Sequence, residues 1–217
     1  MDNALILAQT HDHVRALLQG ESSGHDWWHV YRVWRNAAHI ATDERVDLFV
    51  VELAALLHDI ADWKFHGGDV TAGPHAARTW LDTLTVDETV IAHVCEIIAT
   101  MSFKGAGVAS AMRTREGMVV QDADRLDAIG AIGIARTFAY GGHMNRAIWD
   151  PDRAPQPHAS PEDYLAGTGS TIDHFYEKLL LLKDRMNTAT ARRLAEERHA
   201  FMELYLERFY AEWEGAL

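Results

Sequence analysis

A chain of 217 residues with 48% hydrophobic content is long enough to bury a sizeable core inside a single domain. Its formal net charge of -12 disfavours a nucleic acid polymer as partner, because backbone phosphates are held by clustered Lys and Arg. No uninterrupted apolar run approaches the ~20 residues of a membrane helix, Asp2 stands where a signal peptide has basic residues, and the lone Cys95 allows no internal disulfide; a cytoplasmic chain without membrane attachment is expected.

Apolar residues recur at helical intervals along nearly the whole chain and no period-two alternation is sustained, which predicts an all-α fold. A first helix over about 2–19 carries Leu5, Ile6, Val14, Leu17 and Leu18 and ends in the turn GESSGHD. Asp26 is the expected N-cap of a second helix over about 27–41, where Trp27, Tyr31 and Trp34 recur at intervals of four and three as core aromatics. A third helix over about 44–59 sets Val46, Phe49, Val50, Leu53 and Leu57 on one face and delivers His58 and Asp59 from its last turn. Two glycines in IADWKFHGGD break the pattern, after which helices are expected at about 74–84, 87–100 and 123–138. Within VIAHVCEII, Cys95 reads as a small buried thiol. Pro151, Pro155, Pro157 and Pro161 mark an irregular loop over about 141–170, long enough to cover a site and to offer Tyr140, His143, Asn145 or Trp149 to a ligand. Two closing helices, about 171–186 and 188–213, read as a structural hairpin with Ile172, Phe175, Leu179, Leu182 and Met186 on one side.

Within this frame the chemistry gathers in three remote stretches: His29 in GHDWWHVYRV, His58 and Asp59 in LAALLHDIADWK, and an aspartate of VVQDADRLDAIG. The His58-Asp59 pair is the strongest signal, since two ionisable groups follow the apolar run from Leu53 to Leu57 and their desolvation must be offset. A cation offsets it. In the third stretch Asp122, Asp124 and Asp127 all lie within one and a half helical turns, and Asp122 can equally cap a following helix. Two imidazoles and two carboxylates without a thiolate suit one divalent ion with open water positions, Mn²⁺, Fe²⁺, Co²⁺ or Ni²⁺.

With these flanks the order His, His-Asp, Asp resembles the HD-domain superfamily of metal-dependent phosphohydrolases. The stretches HDWWHVYRV, LAALLHDIADWKFHGGD, QDADRLDAIGAIGIARTFAYGG and RHAFMELYLERFYAEW are together similar to its small single-domain bacterial branch, which includes nucleotide pyrophosphohydrolases. The resemblance implies that residues 1–217 form one HD-type helical bundle with a metal site between helices. It implies His29, His58, Asp59 and Asp124 as metal ligands, with Asp122 the runner-up to Asp124, and Mn²⁺ as the favoured ion, Mg²⁺ also being compatible.

Other residues then acquire expected roles. Asp62 follows Asp59 by three residues, a spacing that keeps it beside the metal if the turn stays helical, and the resemblance implies a general acid or base there. Lys64 and Lys104 are point charges suited to phosphate, His66 can bind it as imidazolium, and His25 belongs to a second His-Asp pair suited to substrate contact. Arg125 suits substrate or, like Arg136, fastens an aspartate of the same stretch; a structural duty is expected for Arg136. A phosphate-binding GxxxxGK loop, an HExxH pair and paired zinc cysteines are all missing, and KGAGVAS lacks the strand and acidic residue of a dinucleotide site.

The expected function is hydrolysis of a small phosphorylated compound, foremost a (deoxy)nucleoside triphosphate cleaved to monophosphate and pyrophosphate, as relatives of this branch do. The resemblance equally embraces a nucleotidase or cyclic-nucleotide phosphodiesterase. A reading of another class is a non-catalytic sensor that clamps a nucleotide.

Overall fold

The structure, a computed structural model, describes residues 2–20, 26–61, 69–101, 112–155 and 169–216. Every regular element among them is helical, and none of these helices is long and apolar enough to cross a membrane. In chain order they are α1 (Asn3–Leu17), α2 (Trp27–Ala41), α3 (Leu48–Leu57), α4 (Ala72–Thr83), α5 (Glu88–Thr100), α6 (Arg115–Asp127) and α7 (Gly130–His143). There follow α8 (Asp173–Glu177), two 3-10 turns (Leu179–Leu181 and Lys183–Arg185) and α9 (Ala189–Trp213). The described residues up to Asp124 form one compact unit, and those from Arg125 onward form a second.

The first unit is organised around α3. Its sequence LFVVELAALL is apolar almost all round, and such a helix is stable only when neighbours cover every side. Helices α1, α2 and α5 do so, and α4 pairs with α5. Val51, Leu53, Ala54, Ala55, Leu56 and Leu57 are sealed from solvent. The helix starts at Leu48 and not near residue 44, because the Asp47 carboxylate accepts from the amides of Phe49 (2.9 Å) and Val50 (3.3 Å) and so fixes the N-cap. Asp26 caps α2 as expected, accepting from the His29 amide at 2.9 Å, and Trp27 is buried beneath His11, their ring centroids 4.7 Å apart. Cys95 is half-buried, donates to the Pro74 carbonyl at 3.3 Å, and has its thiol pKa raised by burial.

The largest departure from the sequence reading lies at the third motif, where one helix over 123–138 is replaced by α6 and α7. The amides of Ala128 and Ile129 turn back to the carbonyls of Arg125 and Leu126, the tight closure of a helix end, and Gly130 takes a left-handed φ of +75°. Apolar spacing runs through this break, so periodicity did not reveal it. Asp122 consequently sits inside α6 and cannot cap a helix start; it is fully buried.

In the second unit α7 packs on α9, with the Phe175 ring stacked on Tyr205 at 5.9 Å and Phe138 against both. The expected helix over 171–186 is instead α8 and two 3-10 turns, since Leu181, Leu182, Arg185 and Met186 each donate three residues back. A repeat of three keeps Leu179 and Leu182 on one side, and Ile172, Phe175 and Met186 are buried with them. Of the loop over 141–170, residues 156–168 lie outside the described ones. Trp149 has its ring against Tyr210, Trp213 and Phe209 at 4.9, 5.0 and 6.1 Å, while Tyr140 is exposed with the Arg146 guanidinium 5.6 Å above its ring. His143 and Asn145 are also exposed.

Candidate metal centre

Three stretches of the first unit bring their side chains to one point. His29 lies in the opening turn of α2, its backbone held by the Asp26 cap. His58 and Asp59 follow the last residue of α3, and Asp124 lies in the last turn of α6. His58 Nε2 is 3.2 Å from His29 Nε2 and 3.4 Å from Asp59 Oδ2. His29 Nε2 is 3.3 Å from Asp59 Oδ2 and 3.5 Å from Asp124 Oδ1.

These spacings test whether an ion fits. Ligand atoms about 2.0–2.2 Å from a shared cation stand about 3.0 Å apart when at right angles and about 3.4 Å apart when tetrahedral. The observed 3.2–3.5 Å is therefore the separation of neighbours in one coordination shell. His29, His58 and Asp59 form the tight core, with ligand atoms all within 4.8 Å of one another, and Asp124 closes on the His29 side. The side chains of both histidines are only 3% exposed and that of Asp59 12%, whereas Asp124 is 39% exposed and marks the side open to solvent.

Hydrogen bonding sets the histidine tautomer. The four terminal carbonyls of a helix have no partner inside it, and His58, one residue past α3, lies 2.8 Å from that of Ala55 through Nδ1. An Nδ1–H donating there leaves the Nε2 lone pair of the neutral ring facing His29 and Asp59, the orientation that a metal-ligating imidazole takes from its outer partner. Two ring nitrogens and two carboxylate oxygens thus converge, and such a set calls for a positive charge, either a proton or a metal ion.

In the metal-free protein that charge is a proton on His58. Burial pushes its imidazolium down, but the Asp59 carboxylate, by charge and hydrogen bond, with Asp124 and the Ala55 carbonyl, outweighs burial and pushes the pKa from 6.5 up to about 9. A value raised on folding adds stability that is whole below pH 6.5 and is lost as pH rises through 9, an effect on the order of 3 kcal/mol. Chelator-treated protein is therefore expected to melt at progressively lower temperature from pH 6.5 to 9. Saturating metal should abolish the slope by displacing that proton. A flat melting profile without metal would contradict this assignment.

Of the remaining sequence candidates, Asp62, Lys64, His66, Lys104 and His25 lie outside the described residues. Arg125 is half-buried and its Nη1 donates to the Arg185 carbonyl. Arg136 has the structural duty expected of it, its Nη1 donating to Asp127 Oδ2 at 2.6 Å. Two participants escaped the sequence reading. The Ala55 carbonyl was legible in principle, because a histidine just past a helix end naturally reaches back three residues. Arg198, which donates to the Leu126 carbonyl, left no local signal within a helix rich in Glu and Arg.

The family model described as HD domain matches residues 27–129, the interval that holds all four side chains. The uncharacterized protein YpgQ of Bacillus subtilis is 44% identical over 190 residues, covering 87% of this chain and 84% of its own. A crystal structure of an HD-superfamily hydrolase from Bacillus thuringiensis matches with a TM-score of 0.78 and 42% identity over 98% of this chain and 99% of that one. The crystal structure of B. subtilis YpgQ in complex with ADP matches with a TM-score of 0.72 and 41% identity, covering 93% of this chain and 97% of that one.

Proposed function

Because this chain belongs to the HD-domain family and is a metal-dependent hydrolase, we propose that it cleaves a (deoxy)nucleoside triphosphate to the monophosphate and pyrophosphate. The observation that carries the reading is the convergence of His29, His58 and Asp59 at 3.2–3.4 Å with Asp124 3.5 Å from His29, a donor set without sulfur that suits Mn²⁺. Support for a nucleotide comes from the relative solved with ADP.

When bound, the divalent ion supplies Lewis acidity, which eases deprotonation of water and neutralises charge at the phosphoryl oxygens. The residues of the chain do the rest. Ala55 holds His58 in the tautomer that presents Nε2, and α3 fixes the depth of the His58-Asp59 pair. Asp124, the most exposed of the four, leaves its side of the site accessible to substrate. Asp62 takes a proton from the attacking water or gives one to the leaving group. Lys64, His66, Lys104 and His25 provide positive or donor groups for the phosphates, which a chain of net charge -12 must supply locally. Arg125, whose Nη1 donates to the Arg185 carbonyl, adds a further positive charge for that role. We further propose that residues 1–217 act as one HD-type domain.

The test is a product pattern. Purified protein is incubated with Mn²⁺ and a panel of ribo- and deoxynucleotides, and monophosphate, diphosphate, phosphate and pyrophosphate are resolved by ion exchange. Equimolar monophosphate and pyrophosphate are expected from triphosphates. Release of inorganic phosphate from monophosphates would replace this reading by a nucleotidase, opening of a cyclic nucleotide by a phosphodiesterase, and tight binding without product by a sensor.

A further inference from the structure

Resting on the metal-site reading above, we propose that Asp127, with Arg136 and Arg198, is a positioning group that holds the last turn of α6 and through it the metal-ligand carboxylate of Asp124. The four ligands are not equally held. His29, His58 and Asp59 are enclosed, at 3–12% exposure, but Asp124 is 39% exposed, so it depends more than they do on the backbone of α6 for its position. That backbone is the final turn of a helix, the part that frays unless its free carbonyls find partners.

Here two guanidinium groups close on that turn, and the guanidinium of Arg125 leaves it for another carbonyl. Arg136 Nη1 reaches both the Asp127 carboxylate at 2.6 Å and the Asp127 carbonyl at 3.4 Å, Arg198 donates to the Leu126 carbonyl, and Arg125 ties itself to the Arg185 carbonyl. Cations at a helix C-terminus also complement its dipole. Asp127 is almost wholly buried, so its charge is matched by Arg136 with little screening. Arg198 is pressed into place as well. A side chain at Gly130 would stand 3.0 Å from its Cβ and Cγ, and the left-handed φ of Gly130 already favours a residue without one. Because α6 is unbroken from Arg115 to Asp127, the turn clamped at Leu126 and Asp127 is the turn that carries Asp124.

The experiment is a Mn²⁺ titration of the full chain, with affinity read from free Mn²⁺ by electron paramagnetic resonance and folding checked by circular dichroism. Asp127→Asn, Asp124→Asn, the double variant and Arg136→Lys are compared with the wild type. A positioning role predicts that Asp127→Asn weakens Mn²⁺ binding about 10–100-fold, the range seen when an outer-shell partner is lost. The double variant should bind no more weakly than Asp124→Asn alone, since the clamp acts only through that carboxylate. If Asp127→Asn fails to fold, Arg136→Lys, which keeps the charge but loses the planar fork, should show smaller weakening that likewise vanishes in the Asp124→Asn background. Unchanged affinity with a lowered melting temperature, or losses that multiply in the double variant, would overturn the proposal, as would a wild type that takes no Mn²⁺. A wild type that binds Mn²⁺ yet turns over no nucleotide would overturn the proposed reaction and leave the clamp standing.

Discussion

Replacing His58 with alanine is expected to lower both metal content and turnover by at least about a hundredfold, since loss of an outer-shell partner alone can cost that much and His58 is proposed as a ligand. The reason is local. The substitution removes a nitrogen that stands 3.2 Å from His29 Nε2 and 3.4 Å from Asp59 Oδ2, and leaves the Asp59 carboxylate facing one imidazole where it faced two. It also deprives the Ala55 carbonyl of its 2.8 Å partner at the end of α3. Metal per chain after dialysis and nucleotide turnover at saturating Mn²⁺ are the two measurements. A variant that retained stoichiometric metal and wild-type turnover would remove His58 from the centre.

A different signature is expected of Asp62→Asn, since the role proposed for Asp62 is to relay a proton and not to hold the ion. Turnover should fall about 10²–10⁴-fold, the usual contribution of a general acid or base, while metal stoichiometry stays at the wild-type level. The contrast with His58→Ala makes the pair informative, because one variant loses the ion and the other keeps it. Asp62 with its three-residue spacing from Asp59 is otherwise an ordinary acidic residue near a helix end. Retained turnover with metal bound would reduce it to that.

The two predictions rest on features of unequal visibility. His58 and Asp59 could be singled out because charged groups directly after five apolar residues need compensation, and Leu53 to Leu57 are indeed fully buried. Asp124 could not be separated from Asp122 and Asp127 by spacing alone, and the resemblance to HD proteins chose it. Geometry gives the three aspartates distinct surroundings: Asp124 reaches His29, Asp122 is sealed inside α6, and Asp127 turns to Arg136. The helix boundaries at Asp26 and Asp87 were legible or nearly so because caps are local, with Asp87 accepting from the Thr89 amide at 2.9 Å. The division between α6 and α7 was not, for a left-handed Gly130 looks in sequence like any glycine in an apolar run.

By itself the sequence determined an all-α chain, the His58-Asp59 pair as ligand candidates and the acidic balance that demands local cations for any phosphate, because periodicity, residue chemistry and net charge are carried by the chain irrespective of how it folds. Only the tertiary structure decided that donor atoms of His29, His58 and Asp59 stand 3.2–3.4 Å apart with Asp124 3.5 Å from His29, that His58 presents Nε2, and that Arg136 and Arg198 meet the end of α6. Distances of that kind depend on the packing of helices remote in sequence, and no local pattern encodes where two such helices will touch.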